Sequence, residues 1–90
     1  MKNTHQDNRE DKPKQILVEY LIDNGSGFAI TEEGDQVYLS DRLVDKMNVQ
    51  PGDVFDAYIM LNYADKRDAI KWRAMRVMKP TKIVPMFQDA

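Results

Sequence analysis

The sequence predicts an all-β fold in which five short strands, with one short helix between the third and fourth, close into a Greek-key barrel. Three observations carry this. Apolar residues alternate with others along several short runs, as side chains of a strand point to opposite faces with period two. Turn chemistry separates those runs, at Asp23-Asn24-Gly25, at Glu32 to Asp35 and at Pro51-Gly52. Helical spacing occurs in one internal stretch, at Leu43, Val44 and Met47.

Taken in order, residues 1–14 form a polar N-terminal tail that ends near Pro13 and is expected to be flexible, because it has too little apolar surface to offset ordering. Strand one covers Gln15 to Ile22, with Ile16, Val18, Tyr20 and Ile22 on one face and Leu17, Glu19 and Leu21 on the other. Strand two covers Gly27 to Thr31 and strand three Gln36 to Leu39. Phe28 and Ile30 share one face of strand two; Tyr38 and Ser40 share one face of strand three. Ser40 is a good N-cap, Asp41 suits the first turn, and Asn48 can end a helix of about two turns. Strand four covers Val54 to Leu61. A charged loop leads to strand five, Ile70 to Met78, which Pro80 stops. Residues 80–90 form a C-terminal tail in which Ile83, Val84, Met86 and Phe87 are apolar, available to the sheet, a second subunit or another protein. Three strands, a helix and two strands is the element order of an OB-type barrel spanning 15–79, which pairs its strands without long exposed edges.

Ninety residues allow one small domain with a single core. The chain has no cysteine, which excludes disulfides and thiolate metal sites. Its longest apolar runs fall far short of the roughly 20 residues of a membrane span, and the polar N-terminus lacks a secretory core. A cytoplasmic protein without membrane association is expected. Net charge is −2 and pI about 5.3, yet the charge is polarised along the chain. Glu19 to Asp56 holds nine acids and two bases, whereas Asp65 to Lys82 holds seven bases and two acids.

Catalytic constellations are missing from the sequence. Glu32 and Glu33 sit in a turn, and Ser26 and Ser40 lack a histidine partner, the one histidine being His5 in the tail. Gly25-Ser26-Gly27 lacks the lysine and following helix of a P-loop. No cofactor and no enzymatic activity are expected. An aromatic on each strand of the 25–40 hairpin fits a stacking platform for flat ligands, and equally a piece of core.

Gly25-Ser-Gly-Phe-Ala-Ile followed by Val37-Tyr-Leu-Ser resembles the two nucleic-acid-binding motifs of cold-shock domains. The order of Gly27-Phe28, Val37 to Ser40, the helix from Leu43 to Val49, Gly52-Asp53 and Arg76-Val77 is most similar to the cold-shock-like RNA-binding domain of the transcription terminator Rho. The resemblance covers about residues 15–78. It implies that Phe28 and Tyr38 are stacking aromatics pointing outward, beside Ile30 and Ser40, with Ala29, Val37 and Leu39 inward. It implies single-stranded RNA, more than DNA, as the partner, since any base offers a π face to stack. Lys66, Arg67, Lys71, Arg73 and Arg76 would hold the phosphates. Trp72, on the face of Ala74 and Arg76, either extends the platform or closes the barrel. Ser26 stands where the family has its first exposed aromatic, no lysine precedes Gly25, and Ser40-Asp41 replaces a His-Phe pair. These departures imply weaker binding than the family norm. Separately, Val37 to Ser40, a helix and Val49-Gln-Pro-Gly-Asp-Val resemble the swapped-hairpin, duplex-binding regulators of the AbrB type, although the first and fifth strands are surplus to that fold.

Overall fold

Local chemistry sets the strand boundaries. In a computed structural model that describes residues 12–66 and 68–88, the chain runs β1 (Lys14–Leu21), β2 (Gly27–Thr31), β3 (Gln36–Leu39), α1 (Asp41–Met47), β4 (Val54–Leu61), β5 (Trp72–Met78) and α2 (Pro85–Gln88). Gly34 turns β2 into β3 at φ +93°, a left-handed conformation that costs glycine little, and its N–H donates to the Thr31 carbonyl at 3.0 Å. Ser40 caps α1 by accepting from the Leu43 N–H at 3.2 Å, and Asn48 ends the helix in the left-handed region at φ 50°. Gly52 adopts φ +91° in the turn that follows, where the Asp53 N–H returns to the Gln50 carbonyl.

The strands close in the order β1-β2-β3-β5-β4. All neighbours are antiparallel except β3 and β5, which run parallel through Val37–Trp72 and Tyr38–Arg73. This is the closed five-stranded OB-type barrel that the element order predicts. Ile16, Val18, Ala29, Val37, Leu39, Phe55, Ala57, Ile59, Ala74 and Val77 fill its interior, with Val49 entering from the loop after α1. Leu43, Val44 and Met47 of α1 pack against that core, so the helix closes over the barrel with its apolar side. The swapped-hairpin alternative does not hold: β1 and β5 are full members of a barrel closed within one chain.

Two bulges correct the period-two reading. In β1 the register passes from Val18–Ala29 to Tyr20–Phe28, leaving Glu19 as the extra residue. Tyr20 therefore leaves the face of Ile16 and Val18 and stands outside, 45% exposed, while Leu21 packs toward the core. In β5 the pairing passes from Ala74–Ile59 to Arg76–Tyr58, with Met75 extra. Trp72 thus faces inward with Ala74, whereas Arg76 is exposed, so the three do not share a face. β5 also starts two residues later than expected.

The C-terminal segment lies against its own barrel. Gln15 donates to Asp56 Oδ1 at 2.9 Å and to the Lys82 carbonyl at 2.8 Å, and accepts from the Val84 N–H at 2.6 Å. Phe87 is buried, and the Met86 side chain beside it is exposed. Most of the expected N-terminal tail, His5 included, lies outside the described residues, and Lys14 already belongs to β1. Among the described residues no helix is long and apolar enough to cross a membrane.

Candidate functional site

Alternation on β2 and β3 and the bulge in β1 place small and aliphatic residues inside and aromatics outside on three adjacent strands. Ala29, Val37 and Leu39 are buried, so their strand neighbours Phe28 and Tyr38 emerge on the outer surface, and the extra residue Glu19 brings Tyr20 out beside them. Phe28 is the centre of the row. Its ring lies 5.1 Å from Tyr20, tilted by 32°, and 5.8 Å from Tyr38 in an edge-on arrangement at 64°. Both separations are in the range where aromatic pairs attract beyond simple burial. Phe28 and Tyr38 face outward, and Tyr20 makes a third ring, which alternation alone puts on the face of Ile16 and Val18. Ile30 is half-exposed on the same face of β2.

The row continues across the parallel seam. Tyr38 pairs with Arg73, whose guanidinium lies over the Tyr63 ring at 4.5 Å from the centroid. Stacking of this kind fixes the plane of the fork. Tyr63 is held in turn by Asn62, a fully buried residue at the end of β4. The Asn62 side chain donates to the Ile70 carbonyl at 3.0 Å and accepts from the Tyr63 N–H at 2.9 Å, and its own N–H donates to the Lys71 carbonyl at 2.7 Å. Asn62→Ala is expected to cost about 1–3 kcal/mol by leaving buried groups unpaired, measured by urea denaturation, and to loosen Tyr63 from Arg73.

Tyr38, Ser40, Arg42, Tyr63 and Arg73, with Ala74 and Met75, line a cleft of about 330 Å³ at the end of the row. Among the described residues no carboxylate lines it, in a chain with 15 acidic residues. The Ser40 oxygen accepts from the helix as its cap, which leaves its proton available to a ligand. The remaining predicted cations are more dispersed. Lys66 is exposed on the β4–β5 loop, Lys71 sits 5.1 Å above the Trp72 ring, and Arg76 is exposed opposite Tyr58. Arg67 lies outside the described residues. Trp72 packs against the core and takes no place in the aromatic row, the bulge at Met75 being the reason its face differs from that of Arg76.

Ser26 is also different in kind from the exposed aromatic that its position suggested. It is buried, with its hydroxyl donating to Asn24 Oδ1 at 2.6 Å and its N–H to the same oxygen at 2.9 Å. The residue stabilises the β1–β2 turn, and Tyr20 supplies the third ring instead. Tyr20, Arg42 and Tyr63 are the site residues that sequence reasoning missed. Arg42 was within reach of it, because Ser40, which follows the end of β3 directly and caps α1, brings the first helical turn close to Tyr38. Among the described residues no group of histidine and acidic side chains could hold a metal ion. No family model matches the chain, and neither do known curated proteins or solved structures.

Proposed function

We propose that this protein is a non-catalytic module that binds single-stranded nucleic acid, RNA in preference to DNA. The observation that supports it most is the outward row Tyr20–Phe28–Tyr38 ending at Arg73 and Arg42. Bases stack on aromatic rings regardless of sequence, and arginines at the end of such a row meet the phosphates that follow. The cold-shock-like character of the Gly27-Phe28 and Val37 to Ser40 segments, most similar to the RNA-binding domain of Rho, favours RNA. Overall acidity is compatible with this role, because affinity depends on cations near the strand rather than on the total charge.

Titration with single-stranded RNA, single-stranded DNA and duplex, followed by tyrosine fluorescence at two salt concentrations, tests the reading. Quenching that saturates with single strands, is stronger with RNA, and weakens as salt rises is the expected result. A duplex preference would contradict it. Absence of a saturable signal from all three ligands at low salt would replace it with a protein-binding role, homodimerisation through the 80–88 segment included, which light scattering reads directly.

A further inference from the structure

We infer that the cleft between Tyr38, Arg42, Tyr63 and Arg73 is a phosphate pocket, which holds one phosphate of a bound nucleotide while its base stacks on Tyr38. The inference deepens the single-strand reading and rests on it for the identity of the ligand. Four observations on the cleft converge.

First, its two guanidinium groups have no acidic partner among the described residues, although acids outnumber bases in the chain. An arginine with a purely structural task normally spends its donors on carboxylates or carbonyls. Second, Arg73 Nε is sealed from solvent without an acceptor. The stack on Tyr63 fixes the plane of the fork beside the cleft, and the buried Nε–H has no acceptor within the described residues. Third, the Ser40 hydroxyl has a proton to donate on the same side. Fourth, the cleft is at the small end of ligand pockets and adequate for one nucleotide unit. Two forks and a hydroxyl around a space that no carboxylate of the described residues lines select a tetrahedral dianion or a phosphodiester. The adjoining Tyr38 ring selects one that carries a base.

The test uses the whole chain with its arginine side chains labelled for NMR. Uridine 5′-monophosphate, uridine and inorganic phosphate are each added in turn. The nucleotide should shift the Nε–H signals of Arg42 and Arg73, uridine should leave them in place, and inorganic phosphate should bind at least about tenfold more weakly than the nucleotide, lacking the stacked base. Arg42→Gln, on the exposed side of α1, should weaken the nucleotide at least about tenfold. The same change should lower the salt dependence of oligouridine binding by about 0.7 in the slope of log affinity against log salt, the value for one phosphate contact on a single strand. Equal effects of uridine and its monophosphate would overturn the phosphate assignment. Equal binding of inorganic phosphate and the nucleotide would reduce the cleft to a general anion site and overturn the nucleotide. An unchanged slope in Arg42→Gln, with strand binding intact and still lost on removing the aromatic row, would sink the pocket and leave the single-strand reading standing. Nucleotide shifts without any strand binding would do the reverse.

Discussion

Phe28→Ala combined with Tyr38→Ala should lower the affinity for single-stranded oligonucleotide by roughly thirtyfold to twenty-five-thousandfold, the sum of two base stacks at about 1–3 kcal/mol each. The fold should survive. Both rings stand on the outer face, paired with each other across β2 and β3, and such cross-strand pairs contribute only about 0.2–1 kcal/mol. The measurement is anisotropy of a labelled oligouridine, since the double variant loses part of its own fluorescence signal. Circular dichroism of the same sample checks that the barrel persists. Tyr20→Ala, made separately, should cost about one further stack, because the bulge at Glu19 brings that ring within 5.1 Å of Phe28. A change below threefold in the double variant, with the barrel intact, would remove the platform from the mechanism.

Ile59→Ala should have the opposite signature, a large loss of stability with little loss of binding per folded molecule. Ile59 is fully buried at the centre of β4 and pairs with Ala74, a small residue that cannot expand to fill the space left. Truncations of this kind cost about 2–5 kcal/mol through lost transfer energy and the residual cavity. A domain of this size is stable by roughly 5–13 kcal/mol, so the variant sits close to the edge of folding. Thermal denaturation should show Tm lowered by at least about 8 °C. Oligouridine affinity at a temperature where the variant remains folded should stay within about threefold, since Ile59 points away from the aromatic row. A shift of only a degree or two would mean that the barrel repacks freely there, contrary to its close-packed interior.

How much of this was legible before the structure depends on the range of the interactions involved. The bounds of β2, β3 and β4, the cap at Ser40, the stop at Asn48 and the turn at Gly52 follow from residues acting on near neighbours, and sequence reading places them where they are found. Alternation in strands with no bulge separates Phe28 and Tyr38 from Ala29, Val37 and Leu39, and the family resemblance, not the alternation, gives the aromatics the outward side. Tyr20 and Arg76 defeat the same rule because one unpaired residue in each strand, Glu19 and Met75, shifts the count by one. Nothing local announces either bulge. The cleft was beyond sequence reasoning for a different reason: its walls come from β3, α1, the β4–β5 connection and β5, and only the parallel β3–β5 pairing brings them together.

That parallel pairing gives the two parts of the site different origins along the chain. Tyr20, Phe28 and Tyr38 belong to one continuous meander of hairpins, so their alignment needs only neighbouring strands to meet. Arg73 reaches Tyr38 after the chain has passed through α1, β4 and the long loop, across a seam of two registered pairs. The aromatic row is thus a property of a local β-meander, whereas the arginine cleft is a property of the closed barrel. Any chain that keeps its hairpins but fails to seat β5 would offer the rings without Arg73, and the cleft is complete only in a molecule that has finished folding.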